Sequence, residues 1–401
     1  MPSAIIIGGG VAGPATAMFL TRAGWDVELF ESRESPDDYR GSFLNVATNG
    51  LDVLGQLGLR ARLESDGHRS PHMVMWSGTG KRLGSVPNGP AGEPERGSVV
   101  VRRSWLHQVL REGAEEAAIP IRFGKRLTAI DETADHAQAT FADGTTARAD
   151  ILVAADGIGS LARSWIDPDA PTPTYSGLVG LGGFARVDGL APTPETQHFV
   201  FGHRSFFGYL VREHGEVYWF ANVSSPEPDR AEARQVSSDS WLATLRDLHR
   251  DDPYPVPQIL RGATSEVGGY PIYDLPHVPR WSRSRVVLVG DAVHATSPSA
   301  GQGASLALED AITLARSLRD SPDRATAFAT YQSLRQPRAE EVVGYARAIN
   351  AQKRITKNRV AVAIRDWMMP MFLKKANDDT RNNFLYNHRI EWEEPLSSPS
   401  A

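Results

Sequence analysis

One stretch near the N-terminus restricts the fold more than any other. Ala4-Ile5-Ile6-Ile7-Gly8 is short, apolar, β-branched and ended by glycine, the pattern of a buried strand. It runs into Gly8-Gly9-Gly10-Val11-Ala12-Gly13, with Gly8, Gly10 and Gly13 at the G-x-G-x-x-G positions. Pro14 to Ala23 reads as a helix stopped by Gly24, and Val27 to Glu31 as a second strand. That order predicts a βαβ unit and a parallel sheet. Gly8 permits a tight turn, Gly10 lets a pyrophosphate approach the backbone, and Gly13 lets the helix pack close to the strand. The helix N-terminus adds unpaired N–H groups and partial positive charge. Glu31 follows Gly10 by 21 residues, near the spacing of a ribose-binding carboxylate. A carboxylate there favours an adenosine with a free 2′-hydroxyl, which suits FAD or NAD and argues against NADP at this site.

The rest of the chain has three textures. Residues 50–63 and 104–118 read as helices, the second with Ser104 as N-cap, and 121–153 as strands with a hairpin signal at Asp143-Gly144. Between about 171 and 280 prolines cluster, and aromatic segments such as Phe206 to Val211 and Val217 to Phe220 alternate as in an antiparallel sheet. Arg285 to Gly290 returns to the buried-strand type, a helix follows over about 303–319, and 325–375 is mostly helical. The fold class is therefore α/β: a Rossmann-like domain with a parallel sheet, interrupted by an antiparallel β-sheet domain, plus C-terminal helices. The expected division is 1–70, 99–170 and 281–345 for the first domain, and 71–98 with 171–280 for the second. A helical segment follows at 346–394, then a disordered Ser/Pro-rich tail at 395–401.

Two further motifs carry chemistry. Ile151 to Ser160 is a buried strand ending in Asp156-Gly157, by itself a strand-end turn. Gly290-Asp291-Ala292-Val293-His294 leads through Pro298 to Gly301-Gln302-Gly303-Ala304-Ser305 and a helix. Asp291 can accept hydrogen bonds from a polyol. Gly301 and Gly303 let backbone N–H groups face a ligand at a helix N-terminus, where an anion is stabilised.

Together, the glycine-rich turn with Glu31, Asp156-Gly157 and the Gly290–Ser305 block resemble the single-component FAD-dependent aromatic monooxygenases of the para-hydroxybenzoate hydroxylase fold. Salicylate hydroxylases and tetracycline-degrading monooxygenases share that fold. The resemblance covers 1–35, 99–165 and 280–345. It implies that Gly8, Gly10, Val11, Ala12 and Gly13 hold the pyrophosphate and that Glu31, with Ser32 beside it, holds the adenosine end. Arg103 corresponds to the family's R-x-x-L arginine near the phosphates or ribityl chain, with Arg102 the close alternative. Asp156 and Gly157 belong to a fingerprint tied to FAD and nicotinamide binding. Asp291 is implied at the ribityl hydroxyls, Pro298 near the flavin ring, and Gly301, Gly303, Ala304 and Ser305 at its pyrimidine edge. Two positions depart: Ser305 stands where many members have Asn, and Pro14 where Leu is common. Pro14 is tolerable in a first helical turn.

The implied activity is hydroxylation of an aromatic or polycyclic small molecule through a flavin C4a-hydroperoxide, with NADH or NADPH as transient co-substrate and O2 as oxidant. No second G-x-G-x-x-G fold is present to hold the nicotinamide. A reductase or dehydrogenase of the same fold, and a non-catalytic flavin-binding scaffold, remain alternatives. A halogenase wants W-x-W, a spacing the nine tryptophans never show. Candidate pocket residues are His203, Arg204, Phe206, Tyr209, Tyr218 and Trp219, and which parity of 217–223 faces the flavin is open. An aromatic pocket with few charges suits a planar, poorly charged substrate.

Several classes are disfavoured. The chain has no cysteine, which removes disulfides, thiolate metal sites and thiol nucleophiles. Net charge is -5, giving no footprint for nucleic acid. No apolar run approaches the roughly 20 residues needed to span a bilayer. The best stretch, Val360 to Leu373, holds Arg365 and Asp366 and reads as a core or domain-bridging helix. The first residues carry no signal-peptide pattern, so a cytoplasmic monomer or homodimer is expected. His68 and His72 are four apart, but Ser70-Pro71 breaks any helix between them, and no metal is expected. Asp291, His294 and Ser297 have the residue types of a hydrolase triad without a G-x-S-x-G elbow. His294 itself reads as structural or part of the cofactor loop.

Overall fold

In the computed structural model, residues 1–36, 42–229, 236–353, 359–378 and 383–396 are described. A six-stranded sheet runs in the order Ser282–Arg283, Val286–Leu288, Ile151–Ala154, Ser3–Ile7, Asp26–Phe30, Ile121–Arg122. All its pairings are parallel except that of the first two strands. In its two central strands Ala4 to Ile7 and Ile151 to Ala154 are apolar and buried, as a covered parallel sheet requires. The Ala12–Arg22 helix is one cover, and its alanines, Phe19 and Leu20 are buried.

Two local readings are corrected. The stretch expected as one helix over 50–63 is two, Thr48–Gln56 and Arg60–Glu64. Gly58 sits between them at φ +73°, a left-handed stop. Ser104 is not an N-cap: the helix Arg103–Glu116 begins one residue earlier, and Arg102 is the extended residue before it.

The aromatic region forms most of a seven-stranded sheet. Its order is Tyr270–Asp274, Thr174–Arg186, Glu216–Ser224, Phe206–Val211, Thr196–Phe201, His72–Ser77, Arg82–Pro87. Every neighbour is antiparallel except the parallel pair His72–Ser77 with Thr196–Phe201. Side chains alternate between its faces. Phe207, Tyr209, Val217 and Trp219 pack against two helices the sequence reading did not foresee, Ser238–Leu248 and Val256–Arg261. Leu210 and Tyr218 face the other way, onto Val100 and beside Phe43 and Phe184.

The last third is mainly helical. Asp291–His294, a turn at Pro298–Ala300 and the helix Gly303–Asp320 follow the Val286–Leu288 strand. The long Arg324–Lys353 helix packs on Gly303–Asp320. The Arg359–Asp378 helix lies against the Arg82–Pro87 strand, and a Cβ at Gly84 would stand 2.9 Å from Leu373. Trp367 and Met371 on that helix stay exposed. Among the described residues no helix is long and apolar enough to cross a membrane. Of the tail expected to be disordered, Leu396 donates its N–H to Asp320 at 2.9 Å, and 397–401 lie outside the described residues.

Candidate flavin and substrate site

Because three neighbouring strands run parallel, the turns that follow them emerge at one edge of the sheet. These are the Gly8, Asp156 and Asp291 turns. Gly8 adopts φ +111°, and a Cβ there would lie 2.2 Å from the Ala155 carbonyl oxygen. A Cβ at Gly13 would lie 1.9 Å from the Gly8 carbonyl oxygen. The fold itself demands those two glycines. Gly10 differs: a Cβ there meets nothing within 4 Å. Its bareness serves no internal contact and fits a phosphate cradle at the start of a helix. Val11 and Ala12 open that helix.

Glu31 is buried and accepts hydrogen bonds from Gly9 N–H at 2.6 Å, Arg33 N–H at 2.8 Å and the Ser32 hydroxyl at 3.1 Å. It therefore organises the first loop. The structure also separates the two candidate arginines. Arg102 donates to the Tyr218 hydroxyl at 3.1 Å and pairs with Glu216. Arg103 is exposed, donates to His107 Nε2 at 3.3 Å, and lies close enough to Asp291 to draw its pKa down. Asp291 is solvent-accessible, yet protein surrounds it, and desolvation raises its carboxyl pKa on balance. At Asp156, Oδ2 accepts the Ala162 N–H at 3.2 Å while the buried Oδ1 has no partner. Burial likewise pushes that carboxyl up. Gly157, at φ +79°, borders open space.

Gly303, Ala304 and Ser305 are the first three residues of their helix, and the first internal bond runs from Leu306 N–H to the Gln302 carbonyl at 2.8 Å. Gly301 is left-handed, and Pro298 is exposed at the start of its turn. The Ser305 side chain points elsewhere. Its Oγ accepts the Ala47 N–H at 3.1 Å, and a Cβ at Gly50 would sit 2.5 Å from it. The departure at this position is thus a packing matter between two helices. Replacing Ser305 with Asn should cost about 1–3 kcal/mol through overpacking. A lowered thermal midpoint without tighter flavin binding is the expected result, and equal stability would refute it.

Below the third motif lies a buried charge network. His294 Nε2 is 2.5 Å from Asp310 Oδ2, and Gly290 N–H donates to the same oxygen at 2.8 Å. Arg335 binds Asp310 at 2.8 Å and Glu309 at 2.6 Å, and Arg338 holds Glu309 through two nitrogens. Burial alone would raise Glu309, but the Arg335 and Arg338 guanidiniums hold it at about 2. Desolvation works against a charged His294, and Asp310 overrides it and raises the pKa. His294 is therefore a strut of the turn that carries Asp291.

The candidate pocket residues divide. Phe206 and Tyr218 lie on the sheet face turned toward Val100 and Phe43. Phe220, on the same face by parity, is 6.2 Å from the Phe43 ring. Tyr209 and Trp219 are corrections: they belong to the opposite face, where Trp219 stacks on Phe207 at 5.8 Å inside the helix-covered core. His203 and Arg204 lie in the connecting turn. His203 N–H donates to Asp252, and Arg204 pairs with Asp247 on the surface, so neither lies on that aromatic face. The aromatic face meets the third motif through one strand: Phe43 faces the rings, and Asn45 Nδ2 donates to the Gly301 carbonyl at 3.4 Å.

A model of the family described as FAD binding domain matches residues 2–346. Curated relatives are FAD-dependent aromatic monooxygenases. The chain is 30% identical over 356 residues to 6-hydroxynicotinate 3-monooxygenase of Bordetella bronchiseptica, covering 85% of this chain and 89% of that one. The chain belongs to this family. It is an oxidoreductase, and FAD is its cofactor. A second relative, the FAD-dependent urate hydroxylase of Klebsiella pneumoniae, is 30% identical over 349 residues, covering 86% and 88%. Among solved structures, Klebsiella pneumoniae HpxO complexed with FAD and uric acid superposes with TM-score 0.82 at 25% identity, covering 94% of this chain and 96% of that one.

Two residues beside the candidate site escaped the sequence reading. His107 is buried beside Gly10 and Arg103, and desolvation, then the charges of Arg103 and Arg33, bring its pKa to about 3. It is neutral and can accept from Arg103. Its signal was available, since Arg103 and His107 are four apart on one helix. The other, Lys353, had no local signal.

Proposed function

We propose that this protein is an NAD(P)H-consuming monooxygenase that hydroxylates an aromatic or polycyclic small molecule. The observation that carries the reading is the apolar face of Phe43, Phe206 and Phe220 set beside the Pro298–Gly301 turn. A planar ring fits such a face. The named relatives act on 6-hydroxynicotinate and urate, both planar.

Bound FAD supplies electron transfer from the nicotinamide and activation of O2. The chain's own residues then bind, orient and exclude water. The Gly8–Gly13 turn with Val11 and Ala12 would hold the pyrophosphate, and Glu31 with Ser32 the adenosine end. Arg103 and Asp291 would take the phosphates and ribityl hydroxyls, with Asp156 and Gly157 beside them. The free N–H groups at Gly303–Ser305 would face the ring system, where they favour developing negative charge. Pro298 and Gly301 would border it. The aromatic face keeps the reacting carbon away from water. A cytoplasmic location, monomeric or dimeric, fits a nicotinamide-consuming enzyme without cysteines.

The test is turnover with isotopically labelled dioxygen. An aromatic that stimulates NAD(P)H oxidation is expected to gain one labelled oxygen atom. Label from water, or product without added oxygen, would favour a reductase of the same fold.

A further inference from the structure

Lys353 closes the long Arg324–Lys353 helix and is 9% exposed. Its Nζ donates to the Ser299 hydroxyl at 2.9 Å, and Ser299 donates to Asn350 Oδ1 at 2.5 Å. The same Nζ lies 4.5 Å from the centroid of Phe206 and 5.6 Å from that of Phe220. Ser299 follows Pro298 in the third motif, while the two rings belong to the sheet face described above. The amine therefore stands where the flavin motif and the aromatic face meet.

Buried charges are normally paired, because desolvation is costly. Among the described residues no carboxylate pairs with Lys353. Burial alone holds its pKa at about 7. Polar capacity is also left over nearby: Asn350 Nδ2 is buried without a partner. So is Asn222 Oδ1, on the strand position opposite Phe206. An amine flanked by ring faces and spare hydrogen-bonding groups suits a planar ligand with an acidic hydroxyl.

We propose that Lys353 binds the ring hydroxyl of a hydroxyaromatic substrate, takes its proton and holds the resulting oxyanion. This deepens the monooxygenase reading and rests on it. In the step, the substrate O–H bond breaks, its proton joins the lone pair of the neutral Nζ, and the bonding electrons stay on oxygen. No redox change occurs. The oxyanion then feeds electron density into the ring carbons that accept oxygen. A purely structural lysine would stabilise the same junction without changing the ionisation of anything bound there.

The holoenzyme is titrated with para-nitrophenol across pH and followed by difference absorbance, since only the phenolate is coloured. The bound probe should ionise at least about one pH unit below the free probe, which is tenfold in relative affinity for the phenolate. Lys353→Gln and Lys353→Met should abolish the shift while keeping FAD content. Lys353→Arg, which keeps a fixed cation, should retain it. A probe bound as neutral phenol, an unchanged shift in the Gln and Met variants, or no probe binding to the holoenzyme would overturn the proposal. Failure of the monooxygenase reading would look different: the shift would persist while labelled oxygen stayed out of product.

Discussion

Replacing Gly10 with Val should leave the protein folded and strip it of FAD. A Cβ at this position meets no protein atom within 4 Å, so the apo fold has no reason to object. The added methyls fill the space where the backbone would approach a pyrophosphate. Affinity should fall at least about 100-fold, or roughly 3 kcal/mol, read by flavin fluorescence titration, while circular dichroism and the apo thermal midpoint stay near wild type. Gly13→Ala supplies the contrast. Its Cβ would press within 1.9 Å of the Gly8 carbonyl oxygen, so stability itself should drop. If Gly10→Val binds FAD normally, the first loop is not a phosphate cradle.

The second large effect concerns stability. Arg335 is buried against Glu309 and Asp310, both fully buried. Arg335→Ala leaves Asp310 with His294 and the Gly290 N–H, and Glu309 with Arg338 and Asn49, and breaking a buried ion pair from one side costs about 3–5 kcal/mol. The pH dependence has a definite sign. Glu309 and Asp310 have lowered pKa values in the folded protein, so their contribution is present above the usual carboxylate range and is lost as pH falls through the folded value, about 2 for Glu309. In the variant that contribution shrinks or reverses. The gap between wild type and variant should be widest near neutral pH and narrow as pH falls below about 4. Urea unfolding at several pH values measures it, and a gap independent of pH would contradict the ion-pair account. Asp310 also holds Gly290 and His294, so the variant should bind FAD less tightly.

Local signals made much of this molecule readable. A strand, a glycine turn and a carboxylate at fixed spacing stand within one βαβ unit, and the structure builds that unit as the pattern implies. Strand character in 206–211 and 217–223 was equally plain, because alternation is a short-range property. Which alternate set faces the cleft was not, since Trp219 and Tyr218 are both large and aromatic. The decision belongs to the helices at 238–248 and 256–261, which cover the Trp219 face. The side-chain environment of Ser305 was hidden for a related reason: its neighbours Ala47 and Gly50 are remote in sequence. Lys353 was hidden more deeply. Only the packing of a C-terminal helix against Ser299 and Phe206 gives it an environment.

The enzyme's chemistry requires a flavin seated between the Gly8–Gly13 loop and the Gly290–Ser305 turn. Its most direct test is titration of the purified, unliganded protein with FAD, followed by flavin fluorescence and by the rise in thermal midpoint. Saturation at one FAD per chain, with the protein stabilised and Gly10→Val showing neither response, is the expected result. A wild-type protein that takes up no FAD, or takes it up equally well after Gly10→Val, would contradict the central claim.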